Sequence, residues 1–468
     1  MLIDSAIRRF LTIAPAVIFG ACAPVGPDFE TPAMELPASF SQGGVKWKRE
    51  SPETQPVPRA WWKLYKDPQL TSMVDRSLAG NQDLAAAAAR LRQARVLSKA
   101  ARSLYFPDID LGVGADRRKT VFRGPGGGSI LYSNFSVPVD LRYEVDVWGK
   151  VRRQVESADA TEGAANETLN AMRLSIAGEV AQTYWALRAV DADRLSLANT
   201  LEVRRKAFAL LSKRRNAGTI SGLDLSRAET EVATAEADRI RLDQDRVQLV
   251  NALAVLTGSA ATGSNIPERA DLPDPPSIPV SIPSEMLRQR PDIRAAEYRV
   301  AAANADVGVA TAAFYPSFSI NASGGAEGVN LTDLYNASSL VWSLGANAVL
   351  PVTSQKYLRD QRDAAVAAHD AASAEYRQTV LESIREVENA LQGSAILTRR
   401  QAAQDEAFRS ASKTLDLSAK RFNSGLVSFL DVVEAERTRL ETERAANAIR
   451  AERLAVSVSL IKALGGEW

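Results

Sequence analysis

The 468-residue sequence offers few side chains able to carry covalent chemistry, and only one of them is a cysteine, Cys22, and one a histidine, His369. One of each excludes an intrachain disulfide framework and a His/Cys metal site. His369 stands in "AAVAAHDAAS", a helical stretch in which an exposed position is expected rather than a catalytic one. No Gly-x-Ser-x-Gly element supplies a nucleophile. Glu386 and Glu388 do not share a helix face, so they make poor glycosidase carboxylates. No enzyme activity and no cofactor is expected. What does recur is Ser-x-x-Asp after a Gly/Ser turn, as Ser221 with Asp224 and Ser428 with Asp431. That spacing fits a capping box, with serine at the N-cap and a carboxylate near the positive end of the helix. Glu434 lies one turn past Asp431 on the same face, beyond the reach of a cap.

The cysteine sits in "VIFGACAPVGPDFETP", residues 17–32. Arg8 and Arg9 precede "FLTIAPAVIF", an apolar run as long as a signal-peptide core and too short to span a bilayer. Small residues Gly20 and Ala21 stand directly before Cys22. The segment resembles a lipobox, in which a signal peptidase cuts before a cysteine whose sulfur has been acylated. Residues 1–21 are therefore expected to be a signal peptide and Cys22 a lipidation site. Ala23 in place of Asp suggests release to the outer membrane, by resemblance to bacterial lipoproteins.

The elements that must position these residues repeat. "DLAAAAARLRQARVLSKAARSLYFP" from Asp83 aligns with "DIRAAEYRVAAANADVGVATAAFYP" from Asp292, and "KRRNAGTISGLDLSRAE" from Lys213 aligns with "KRFNSGLVSFLDVVEAE" from Lys420. A lipid-anchored segment with a short helix (22–80) is expected before two repeats, 81–258 and 284–468. A Pro-rich extended linker, 259–283, separates them. Helical periodicity predicts helices over 83–105, 152–215 and 222–257, then over 292–314, 357–423 and 429–464. Leu381, Ile384, Val387 and Leu391 fall at helical spacing, and Ala235, Leu242, Leu249 and Leu256 recur at the coiled-coil interval. The helix over 152–215 would be on the order of 95 Å long. With 57 basic and 56 acidic residues, the net charge of +1 leaves no electrostatic footprint for nucleic acid. Composition alone favours a coiled-coil scaffold.

Four segments break that reading. Residues 135–147, "FSVPVDLRYEVDV", alternate apolar and polar without error, and 109–115, 317–323 and 339–350 do so more weakly. Period two places one set on each face of a strand. The first segment reaches the roughly 9–11 residues that cross a bilayer when tilted, and its polar face is charged, as a wet barrel lumen requires. Four strands are too few to enclose a barrel, so several copies must contribute, and three would supply twelve strands. "RGPGGGS" at 123–129 lacks the Gly-Lys-Ser/Thr ending of a phosphate loop and is expected to be an extracellular hairpin tip.

"VGPDFETP" after Cys22, "WWKLYKDPQLTSMVDRSLAGNQDL" from Trp61, "IPSEMLRQRPDIRAAEYRVAAANADVGVATAAFYPSFSI" from Ile282, "VAQTYWAL" at 180–187 and the closing "ALGGEW" resemble the TolC-like outer-membrane factor family, in its lipidated multidrug-efflux branch. The likeness covers essentially the whole mature chain. It implies a mainly α fold with a β-barrel portion: a homotrimer with a twelve-stranded barrel in the outer membrane and a tunnel of antiparallel helices in the periplasm. It implies the passive exit duct of a tripartite pump, working with a periplasmic adaptor and an inner-membrane transporter. In the family, a Leu and acidic residues of the second turn ring the closed pore, at positions matching Leu430, Asp431 and Glu434, with Asp224 on the first turn. A threefold axis would make each a ring of three, and ringed carboxylates repel one another and attract cations. The Tyr and Arg that lock this turn in some members correspond to Phe422 and Val427, which cannot make those bonds; closure is then expected to rest on Leu430 and the acidic ring. Adaptors dock on the turns, here Gly218 and Ser221 in the first and Gly425 and Ser428 in the second. The alternative is a lipid-anchored periplasmic scaffold without channel activity.

Overall fold

The computed structural model describes residues 24–34, 59–121, 124, 126–263, 265–278 and 290–465. Cys22 and the expected signal segment lie outside these residues, as do parts of the Gly-rich tip and of the Pro-rich linker. A 3-10 turn at Trp61–Tyr65 leads into helices α1 (Pro68–Gly80) and α2 (Gln82–Ser103). Strands β1 (Asp108–Leu111), β2 (Gly114–Val121) and β3 (Ser129–Val145) precede α3 (Lys150–Asn216) and α4 (Gly222–Leu256). Beyond the linker come α5 (Pro291–Ala312), β4 (Ser317–Gly328), β5 (Leu340–Val349), α6 (Gln355–Asn423) and α7 (Phe429–Ala463). The long helices α3 and α6 hold 67 and 69 residues, and α4 and α7 hold 35 each.

Where four strands were expected there are five, and the reason is Pro138. Strands β1 and β2 both pair antiparallel with β3 in one register, Leu111 facing Val139 and Gly114 facing Ser136. Between them the Gly112 N–H donates to the Pro138 carbonyl at 2.9 Å. Proline has no N–H to return, so the ladder opens for two residues and resumes. The sheet runs in the order β1/β2, β3, β4, β5, antiparallel throughout.

Register carries the β3 alternation across the sheet. Val137, Val139, Leu141, Tyr143 and Val145 stand opposite Ala326, Gly324, Ala322, Ile320 and Phe318. Those in turn face Leu340, Trp342, Leu344, Ala346 and Ala348. Because side chains alternate with period two, one face is apolar from Phe135 to Val145 and across to β5, and turns polar only in the β2–β3 extension, at Arg117, Lys119 and Ser133. The other presents Asp108 opposite Arg142 and Asp110 opposite Asp140, then Asn321 and Ser323.

The chain divides into two compact units. One contains the sheet and the helix ends that adjoin it. Here Trp148, at the β3–α3 junction, stacks on Tyr315 at 4.7 Å and donates from Nε1 to the Pro316 carbonyl at 2.8 Å. Residues 24–34 form a strap on this unit. The Val25 N–H donates to the Trp148 carbonyl at 3.0 Å, and buried Arg153 donates to Asp28 at 2.9 Å. Gly26 comes so close to Gly308 that a Cβ on it would lie 2.6 Å from the Gly308 Cα.

The second unit holds the turn-proximal helix ends and an aromatic core of Trp61, Tyr65, Tyr184 and Trp185. The Pro-rich linker is held against it rather than hanging free. Arg188 on α3 donates to the Pro267 carbonyl at 2.9 Å, Arg246 on α4 donates to the Ile266 carbonyl at 2.6 Å, and buried Asp191 binds both guanidinium groups. The coiled-coil interval on α4 holds for two positions only. Ala235 and Leu242 are buried, but Val250 and Leu253 then take over from half-buried Leu249 and Leu256. A straight helix with 3.6 residues per turn drifts off a seven-residue repeat in this way. On α6, Val387 and Leu391 are buried while Leu381 is exposed, and His369 is half-buried rather than exposed.

Candidate functional site: two turns and an open sheet

Helices α3 and α6 end in the same manner. At the first turn Gly218 (φ 72°) donates to the Arg215 carbonyl and Thr219 to the Arg214 carbonyl. At the second, Gly425 (φ 73°) donates to the Phe422 carbonyl and Leu426 to the Arg421 carbonyl. This pair of bonds is the Schellman closure, and it requires a left-handed residue that glycine adopts without a Cβ penalty.

The helices that follow start with the Ser-x-x-Asp pairs, used unequally. Ser221 accepts from the Asp224 N–H at 3.3 Å and its hydroxyl donates back to the Asp224 carboxylate at 3.0 Å. At the second turn both the Ser428 N–H and its hydroxyl donate to Asp431 Oδ2, at 2.8 and 2.7 Å. These hydrogen bonds hold the Asp431 carboxyl below its usual range. Leu430 is 43% exposed. Glu434, also exposed, pairs with Arg437 on its own helix at 3.4 Å, a surface contact of little energetic weight. Within one chain, then, Leu430 and Glu434 are free of the packed core and Asp431 is committed to its cap.

The structure adds what the sequence reading missed. The Phe422 side chain has no hydrogen-bonding group, but its ring lies under the Arg214 guanidinium at 5.5 Å and against Phe429 at 5.8 Å. Within one chain, a cation–π contact thus joins the first helix pair to the second. Slightly further from the turns, buried Arg204 on α3 pairs with Glu231 on α4 at 3.0 Å and with Glu436 on α7 at 3.3 Å. Arg437 on α7 reaches back to Glu231 at 2.7 Å. Burial pushes the Glu436 carboxyl up, and Arg204 only partly opposes this. A signal for the cluster was present: Arg204 continues the stripe of Leu197 and Leu201, Glu231 lies between Ala228 and Ala235, and Glu436 between Val433 and Leu440. Charges on an apolar seam must find partners across it.

The sheet is the other feature unsuited to water. Its apolar face leaves Trp342 82%, Leu344 69% and Leu111 72% exposed. Among the described residues, β1/β2 at one edge and β5 at the other each have a neighbour on one side only. No helix among the described residues is long and apolar enough to cross a membrane.

A family pattern described as "Outer membrane efflux protein" matches residues 73–259 and 282–466. The solvent efflux pump outer membrane protein SrpC of Pseudomonas putida is 30% identical over 467 residues, covering 98% of each chain. The pyoverdine export outer membrane protein OpmQ of Pseudomonas aeruginosa is 32% identical over 417 residues, 88% of each. Among solved structures, the outer-membrane channel OprN is similar with a TM-score of 0.86 and 30% identity, covering 95% of this chain and 99% of that one. The outer membrane protein VceC from Vibrio cholerae is similar with a TM-score of 0.81 and 28% identity, covering 88% and 99%.

Proposed function

The chain belongs to the outer membrane efflux protein family and serves as the outer-membrane component of an efflux pump, and from that premise we propose how it does so. Three copies close their sheets, each four strands wide with β1 and β2 as one interrupted strand, into one twelve-stranded barrel, and their helices continue it as a periplasmic tunnel that narrows at the two turns. The observation that carries this is the sheet: an apolar face exposed along β1 and β5 and half-buried along much of β3 and β4, with both edges unpartnered among the described residues. Such a sheet is stable only in lipid and only when its edges meet other edges. β3, β4 and β5, at 17, 12 and 10 residues, are long enough to cross.

Cys22 carries the lipid, and two residues on, Pro24 packs on Gly149 at the β3–α3 junction. Leu430, Asp431 and Glu434, with Asp224, form the periplasmic constriction, and Glu434 supplies the charge that Asp431 spends on its cap. The turns at Gly218, Ser221, Gly425 and Ser428 receive the periplasmic adaptor, which links the duct to an inner-membrane transporter. Relatives of similar distance are named for solvent and for pyoverdine export. That difference favours a duct that selects little among small molecules.

The test is the native mass and planar-bilayer conductance of the full-length protein extracted in mild detergent. A trimer that conducts, with a conductance raised by Leu430→Ala and a cation preference lowered by Glu434→Gln, is the expected outcome. A monomer released without detergent would overturn the barrel and the anchor together.

A further inference from the structure

We propose that a cavity between α3, α4, α6 and α7, about one to five helical turns from Gly218 and Gly425, binds a small organic cation with an apolar body. Its volume is about 470 Å³, within the range of about 300–1,000 Å³ typical of small-molecule sites. The site is built within one chain, so it depends on neither the barrel nor the trimer.

The walls are apolar: Val203 and Ala207 from α3, Ala228 from α4, Leu415 from α6, Phe429 and Val433 from α7. Polar groups from all four helices complete the lining. Thr200, 2% exposed, lines the cavity, and its Oγ1 has no hydrogen-bond partner. Glu231 Oε2, also buried at the cavity, makes no aligned hydrogen bond although Arg204 stands 3.0 Å away. An unmet buried hydroxyl and an under-bonded carboxylate oxygen are costly to leave in an apolar surround.

The sign of the guest follows from the charges. Three carboxylates line the cavity, Glu231, Glu436 and Asp416, against two guanidinium groups, Arg204 and Arg439. Arg439 already pairs with Glu443 at 3.0 Å, and Asp416 with Lys420 at 2.6 Å. That leaves Arg204 as the guanidinium between the Glu231 and Glu436 carboxylates in the lining, with Arg437 binding the other Glu231 oxygen at 2.7 Å from outside it. Glu231 Oε2 still lacks an aligned donor and Glu436 accepts from Arg204 at a long 3.3 Å, so the pair can take one more donor. An ammonium group would supply that donor in charge-assisted form. The ring of Phe429 offers its flank an aromatic wall. An anion would meet the Glu231 and Glu436 carboxylates, and a purely apolar guest would leave Thr200 Oγ1 and Glu231 Oε2 unmet. A bound amine would also compete with Arg204 for Glu436, the bond that ties α3 to α7.

The experiment is isothermal titration of the full-length detergent-solubilised protein with naphthylmethylamine and, separately, with its neutral isostere naphthylmethanol. Saturable binding of one amine per chain, about tenfold tighter than the alcohol, is expected. Glu436→Gln should bring the amine down to the alcohol's affinity while leaving the alcohol unchanged. Ala207→Leu, which fills the cavity from a half-buried position, should abolish both. Equal, non-saturating uptake of amine and alcohol by the unaltered protein, as for partition into detergent, would overturn the proposal. So would an amine affinity unchanged in both variants. Because the readout is binding, a protein that fails to conduct would count against the duct and leave this site untouched.

Discussion

The two turns share a backbone and differ in what they do with it. Each closes on a glycine near φ 72° and restarts on Ser-x-x-Asp. Yet Arg215 of the first turn folds back onto the Ile220 carbonyl at 3.3 Å, whereas Phe422, its counterpart, reaches out to Arg214 and Phe429. Arg227 in the first helix corresponds to Glu434 in the second. A conserved turn geometry therefore costs nothing in freedom at the side chains beside it. Within one chain those side chains divide the work, the first turn presenting positive charge and the second an aromatic and a carboxylate.

The largest effect should come from the cluster that joins the two helix pairs. Arg204→Ala leaves Glu231 and Glu436 buried without their shared partner, and removing one side of a buried pair costs about 3–5 kcal/mol. A clear drop in the thermal midpoint is expected, partly restored when Glu436→Met is added. An unchanged midpoint would mean that the helix pairs are held by apolar packing alone.

A pH series separates the second turn from the cluster above it. Glu436 is held above its ordinary value of 4.5 by burial, so its folded form binds the proton more tightly than the unfolded one. It contributes stability below that ordinary value, lost as pH rises through the raised one. Asp431 is held below its ordinary 3.8 by the Ser428 hydrogen bonds. Its contribution is present above that value and lost as pH falls through the lowered one. Glu436→Gln should therefore flatten the decline on the neutral side, and Asp431→Asn the decline on the acid side. A variant that flattened the opposite limb would reverse these assignments.

The smallest effects compare the turns directly. Ser428→Ala should cost about 1 kcal/mol, the worth of an N-cap. Ser221→Ala should cost less, since its hydroxyl sits further from the aspartate carboxylate, at 3.0 Å against 2.7 Å for Ser428. Amide exchange in the first turns of α7 and α4 reads the two separately. Phe422→Leu keeps an apolar side chain but removes the ring beneath Arg214, a loss of about 0.5–1 kcal/mol. A double-mutant cycle with Arg214→Met would show no coupling if the contact does no more than fill space.

Much of this was legible in the residues. Long helical periods placed α3 and α6 to within two residues at either end, because a pattern sustained over many turns leaves little room for another reading. The β3 alternation and the glycine and serine of each turn were equally plain. The break between β1 and β2 was not read. Pro138 stands within the alternating run, and which neighbouring strand would lose a bond to it depends on pairing. The Arg204 cluster was visible only as charges on an apolar stripe. Nothing local says which partners lie across it.

What the sequence determined by itself is therefore what depends on near neighbours: helix extents, caps, left-handed glycines and the two faces of each strand. Each is set by backbone sterics and side-chain period over a few residues. The tertiary structure alone decided that Arg204 would stand between two glutamates, that Phe422 would meet Arg214, that the linker would be held by Arg188 and Arg246, and that one apolar face would run from β3 across to β5. Those outcomes join residues tens to hundreds of positions apart, and only register and packing, which no short stretch encodes, bring such residues within reach.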